Sequence, residues 1–227
     1  MIRKRYAQLG LLACTSVASL GLLAGATPAA AKARFKVVTK TATVQACFDT
    51  NIAIPDWSST ATTIPGSLRV HVEVPKFRGQ PQNGKVTSFA GVGTRITHTR
   101  DGDLVLGIVG PDGKQVILSN TRDQAAAFYG GNGYGMGATD CTGQLVLFSD
   151  SFPTSIVNPG NTGVDQPITG SFSPEQALSD FVGGPAAGDF TFFVLDTVGT
   201  NTGSINAFSI SFNYEYKALK KKRKHRR

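Results

Sequence analysis

The chain has 227 residues, with 23 Lys and Arg against 15 Asp and Glu, a formal charge of +8 and three cysteines. The positive excess sits at the ends: Arg3, Lys4 and Arg5 open the chain, eight of residues 217–227 are basic, and residues 32–216 hold 12 basic against 15 acidic groups. A mildly acidic body argues against a nucleic-acid-binding face built into it, and beyond the N-terminal segment no run approaches the roughly 20 apolar residues of a membrane-spanning helix, so no transmembrane anchor is expected.

In chain order, residues 1–31 read as a secretory signal: a basic start, an apolar stretch from Leu9 to Ala24, and Ala29-Ala30-Ala31 as the small residues before cleavage. Ala31-Lys32-Ala33 offers a second small-x-small site. Leu11-Leu12-Ala13-Cys14 has some likeness to a lipoprotein box, but the apolar run continues past Cys14 and lipidation there would cut it in half. Cleavage removes Cys14 and leaves Cys47 and Cys141, which in an exported chain read as one disulfide. Residues 32–45 are expected to hold an N-terminal linker or first strand, and residues 46–216 the folded body.

Leu68, Val70, Val72 and Val74 alternate with Ser67, Arg69, His71 and Glu73, the period of a strand with one face inward and one wet. His71 falls on the wet face. The stretch 97–118 brings His98, Asp101, Asp103 and Asp112 between two aliphatic runs, 104–109 and 115–119. Asp101, Asp103 and Asp112 are hard oxygen donors of the type calcium takes, but the closing glutamate of a calcium hand is absent. Asp-Gly and Pro-Asp-Gly are also turn sequences, because glycine reaches positive φ and aspartate bonds its own backbone, and the residues lean that way.

The glycine-rich "YGGNGYGMGATDC" within 121–146 lacks a phosphate-binding ending and reads as a surface excursion. Ser173-Pro174-Glu175-Gln176-Ala177-Leu178 has the hydroxyl, proline and glutamine of a helix start and predicts one short helical turn. Strand rhythm returns at 190–196 and 204–216, where Phe208, Ile210, Phe212, Tyr214 and Tyr216 share a face. The sum is an all-β chain of eight to ten strands closing one two-sheet sandwich. Residues 217–227 form a basic tail, with Lys220, Lys221, Lys222, Arg223, Lys224, Arg226 and Arg227 as candidate polyanion-binding groups.

No Gly-x-Ser-x-Gly occurs, and of the three histidines only His98 is placed to act as a base, so catalytic residues are expected to be absent. The order of "IPD" (54–56), "ITHTRDGDLVL" (96–106), "GPDGKQVIL" (110–118), "FSDSF" (148–152), "TGSFSPEQALSDFVGG" (169–184) and "GDFTFFVLDTVGTNTGSINAFSISF" (188–212) resembles the P domain, or Homo B domain. That module accompanies the catalytic domain of kexin- and furin-like proprotein convertases and of many bacterial subtilases. The resemblance spans about residues 46–214 and implies a jelly-roll-like sandwich that supports or regulates a protease without contributing catalytic groups.

It further implies structural roles for His98, Asp103 and Asp196; no cofactor is expected, calcium near such acidic turns being a structural ion of some related modules. Two departures stand out: Phe190 where relatives carry tryptophan, and Asn201-Thr202-Gly203 in place of an acidic last turn. The module is expected to stand alone, without a catalytic domain in the same chain. The function expected is that of a secreted, non-catalytic interaction or scaffold module. The alternatives are a module acting in trans on a subtilase, or one that binds an anionic cell-surface polymer through its tail.

Overall fold

The period-two pattern becomes nine strands: β1 (Val37–Ile54), β2 (Gly66–Val72), β3 (Lys85–His98), β4 (Leu104–Val109), β5 (Gln115–Asn120), β6 (Val146–Phe148), β7 (Ser171–Phe172), β8 (Gly188–Asp196) and β9 (Gly203–Leu219). This computed structural model describes residues 37–57, 66–120, 133–157 and 167–220. The chain divides into Met1–Arg34 and Phe35–Arg227, and every described residue lies in the second unit. The expected signal, Cys14 and tail residues 221–227 lie outside the described residues.

The strands form two sheets, β1-β9-β3-β6-β7 and β2-β8-β4-β5. Their alternating side chains meet in one core that includes Phe148, Phe172, Phe190, Phe192, Phe208 and Phe212. Phe192 of β8 stacks on Phe208 of β9 with centroids 4.6 Å apart, and Phe190 meets Phe212 at 4.9 Å, so aromatic pairs bridge the sheets. Phe181, from the short 3-10 turn Leu178–Phe181, packs on Phe89 and Phe190 at 5.3 and 5.9 Å.

Three local expectations change in the fold. The first strand begins at Val37, within the expected linker or first strand of 32–45, and runs on without a break to Ile54, while β9 continues past 216 to Leu219. The cause is mutual: Val37 pairs with Leu219 and Thr39 with Lys217, so each end supplies the ladder for the other.

The helical turn begins at Leu178 rather than in the expected stretch. Gln176 instead bonds β5 twice, its N–H to Ile117 O at 3.0 Å and its side-chain oxygen to Ile117 N at 2.8 Å, and the Glu175 N–H reaches Leu118 O at 3.2 Å. Covering a sheet edge outweighs the local cap. The carboxylate that does satisfy the turn comes from "FSDSF": Asp150 accepts from Leu178 N at 2.7 Å and Ser179 N at 2.8 Å.

The described half of the glycine-rich stretch is only partly a surface excursion: 136–139 are exposed, but Gly133, Tyr134 and Gly135 are buried. Tyr134 is fully buried, bridges Ile96 on one side and Ile168 on the other, and lies 3.1 Å from the Ser119 hydroxyl through its own. Gly133 makes this approach feasible at φ 97°, because a Cβ there would collide with the Ile96 carbonyl. Cys47 and Cys141 form the expected disulfide, with Cα atoms 6.1 Å apart, and the Cys141 N–H donates to Asp49 at 2.7 Å alongside it.

Candidate functional site

One corner of the sandwich gathers the polar residues that sequence reading singled out. β3 ends at His98, the 3-10 turn Asp101–Asp103 leads into β4, β8 ends at Asp196, and β9 opens at Gly203 beside them. Register enforces the meeting: Leu104 pairs with Asp196 and His98 with Gly203. A Cβ on Gly203 would strike both the Thr97 carbonyl and the His98 ring, so the close approach needs glycine.

His98 and Asp196 side chains are fully buried, with Nε2 3.2 Å from Oδ2. Nδ1 lies 2.7 Å from the Arg100 carbonyl and 3.1 Å from the Arg100 N–H, so the Arg100 backbone satisfies it in either tautomer. The other Asp196 oxygen accepts from Val198 N at 3.1 Å.

Asp103 is equally committed. Its carboxylate accepts from Asn201 Nδ2 at 2.8 Å and lies 3.4 Å from Arg100 Nε, while its carbonyl accepts from the Thr197 N–H and hydroxyl at 3.0 and 2.7 Å. The departure at 201 thereby acquires a reason: an amide donates to buried Asp103 where a second carboxylate would repel it.

Chemically, this corner holds an imidazole and a carboxylate that are committed to each other and to the backbone. Both ring nitrogens are engaged, neither side chain meets solvent, and among the described residues no hydroxyl stands at hydrogen-bond distance from the ring. A triad needs its base free to take a nucleophile's proton.

Burial pushes the Asp196 carboxyl above its ordinary value of 3.8, with the Asp103 charge adding to the rise and Val198 N–H and His98 opposing it. The folded protein therefore keeps this proton to higher pH than the unfolded chain. The stability linked to it is complete below the unfolded value and is lost as pH rises through the folded one. Relative to Asp196→Asn, which cannot titrate, wild type should lose melting temperature across that interval, measured by calorimetry from pH 3 upward; a constant difference between the two would refute the linkage.

Asp112 does not join Asp101 and Asp103. It follows the far end of β4, about 20 Å away at ~3.3 Å per residue, and turns inward on itself by accepting from Lys114 N at 3.1 Å. Of the three candidate calcium ligands, Asp112 is thus separated from Asp101 and Asp103 by the length of a strand, and among the described residues no group of three or more His, Cys, Asp or Glu is placed to hold a metal.

His71 is exposed, as the alternation implies, yet its Nδ1 lies 2.6 Å from Asp189 Oδ1, and Arg69 lies 3.6 Å from the same carboxylate. Sequence reading missed this pair because only the register of β2 on β8 sets His71 opposite Asp189. Of the tail, Lys220 is described and exposed; the remaining candidate polyanion-binding residues lie outside the described residues.

Comparison with the curated proteins returns no match. Among solved structures, the serine protease of Aeromonas sobria is 14% identical with a TM-score of 0.39, over 79% of this chain and 27% of that one. The complex of that protease with its chaperone gives 15% identity and a TM-score of 0.38, over 80% and 27%. The chain thus spans about a quarter of the length of these proteins. The family model for the proprotein convertase P-domain matches residues 90–212, more than half of the chain, from the middle of β3 to the core-facing Phe212 of β9. The matched segment contains His98, Asp103 and Asp196 together with the strands that carry them, and the chain belongs to the proprotein convertase P-domain family.

Proposed function

We propose that the protein is an exported, non-catalytic sandwich module that binds or braces another protein, foremost a subtilisin-like protease acting in trans. The observation that carries the non-catalytic reading is the His98–Asp196 pair, which has the residue types of a catalytic dyad but no exposed surface and no unengaged ring nitrogen. Family membership supports the link to a protease. The signal-like residues 1–31 support export, and no helix among the described residues is long and apolar enough to cross a membrane.

The purified full chain is expected to leave casein and a dibasic peptide intact. It should also slow thermal inactivation of a subtilase that lacks a sandwich of its own. Hydrolysis that survives stringent purification would overturn the non-catalytic reading, and unchanged inactivation of the subtilase would overturn the bracing role.

A further inference from the structure

Arg95 is a buried guanidinium that meets no carboxylate among the described residues. It stands on the outer face of β3, opposite Ala207 of β9, and only 9% of it is exposed. Its stem runs across Gly135, where a Cβ would come within 2.8 Å of Cδ, and Nη1 donates to the Ile96 carbonyl at 2.9 Å and to the Tyr134 carbonyl at 3.2 Å. Ile96 and Tyr134 also exchange backbone hydrogen bonds, so Nη1 is fixed over a closed pair. Fastening the Tyr134 segment thus takes one nitrogen. Nε is enclosed with no hydrogen-bond partner, and Nη2 has none among the described residues but is not sealed from solvent. These two nitrogens form the side of a guanidinium that grips both oxygens of a carboxylate.

The nearby carboxylates are taken. Asp49 shares the outer face, but it pairs with Ala207, which pairs with Arg95, so it stands two strands off, about 10 Å at ~4.8 Å per strand. It accepts from Cys141 N, while Asp140 accepts from Thr142 N at 2.8 Å and from the Thr142 hydroxyl. Burial pulls the Arg95 pKa below its ordinary value, as it does for a cation to which the fold gives no counter-charge. Such a charge costs the folded state, and a partner that supplies a carboxylate relieves the cost.

Apolar surface adjoins it. Gly91 and Gly93 precede Arg95 on the same face, Leu147 pairs with Gly93, and a Cβ on Gly93 would meet Leu147 and Leu145 at 3.0 and 3.1 Å. Leu147 is 39% exposed. Beside it a cleft of about 190 Å³ opens between Gly91, Phe152, Ser209 and Ser211. From Gly91 to Arg95 is about 13 Å at ~3.3 Å per residue, the reach of four extended residues.

We propose that this face binds an extended segment of a partner protein, which sets an Asp or Glu carboxylate on the Nε and Nη2 of Arg95 and an apolar side chain in the cleft at Gly91. The site offers one cation, with the Ile96 and Tyr134 carbonyls beside it, which suits a singly charged carboxylate better than a phosphate. Leu147 and the cleft are surface that a peptide covers and a free carboxylate does not, and enclosed arginines ringed by apolar contacts concentrate binding energy. The proposal rests on the reading that the module binds another protein, but not on that partner being a protease.

The test titrates the full chain with the end-capped peptide Leu-Thr-Ser-Thr-Glu, with its reverse sequence, with both repeated with Gln in place of Glu, and with acetate, while the Arg95 Nε–H resonance is followed by NMR. One Glu peptide should bind roughly tenfold or more tighter than its Gln counterpart, as a charge-assisted bond in an enclosed site requires, and should move that resonance downfield. Acetate should bind far more weakly. Arg95→Gln should abolish the preference for Glu, and Leu147→Ala should weaken the Glu peptide a few-fold at an unchanged melting temperature. The Glu and Gln peptides are compared on the wild-type chain, so the outcome stands even if Arg95→Gln folds poorly. No binding by either Glu peptide, equal binding of Glu and Gln peptides, a stationary Arg95 resonance, or acetate as tight as the peptide would each overturn the proposal. No subtilase enters the titration, so its failure is read separately from failure of the bracing role.

Discussion

Replacing Cys47 and Cys141 together by alanine is expected to lower the free energy of unfolding by about 4–5 kcal/mol, the largest effect of any substitution pair considered for this chain. The cross-link joins residues 94 apart and ties the edge strand β1 to the turn before β6, so its removal releases one long loop in the unfolded chain. At roughly 2–4 °C per kcal/mol for a domain of this size, the melting temperature should fall by about 10–15 °C. Urea unfolding of the oxidised and double-alanine proteins checks the value. A loss under about 1 kcal/mol would mean that the unfolded chain is already compact around these residues, so that loop closure contributes little. The hydrogen bond from Cys141 N to Asp49 keeps the two segments adjacent after the sulfurs are gone, which is why the fold should survive the substitution.

Phe192→Ala is expected to cost about 3–5 kcal/mol, as for other large aromatics removed from a closed core. Phe192 is fully buried and stacks on Phe208 across the two sheets at an interplanar angle of 19°, so truncation leaves a cavity bounded by strands whose ladders resist collapse. Phe193 provides the internal control. It points to the opposite face of the same strand, is only half-buried, and lies across Gly107 of β4. Phe193→Ala should cost well under half as much, and equal losses measured by denaturant unfolding would mean that the faces of β8 are wrongly assigned.

These two residues also show how far the sequence reaches. Alternation at 190–196 assigns Phe190 and Phe192 to one face and Thr191 and Phe193 to the other from side-chain period alone, and the burial of β8 follows it. The same reasoning separated the buried Val70 and Val72 from the exposed Arg69 and His71. The order of short motifs identified the family, which the matched segment 90–212 confirms.

The failures share a cause. Ser173 to Gln176 carry a helix start written in local chemistry, but the edge of β5, more than 50 residues earlier, offers Gln176 and Glu175 better partners. Tyr134 sits in a glycine-rich stretch that looks like loop, yet those glycines admit it to the core against Ile96.

What the sequence by itself determined is the all-β class, the inward faces of β2, β8 and β9, the disulfide and the family, because each rests on a period, a composition or an ordered motif carried within the chain. Only the tertiary structure decided that His98 meets Asp196, that Asp112 stands a strand's length from Asp103, and that Asp150 caps a turn 28 residues on. The reason is register: pairings between residues about 100 positions apart choose which side chains become neighbours, and that choice is made by the ladder and the packed core together, not by any local run of residues.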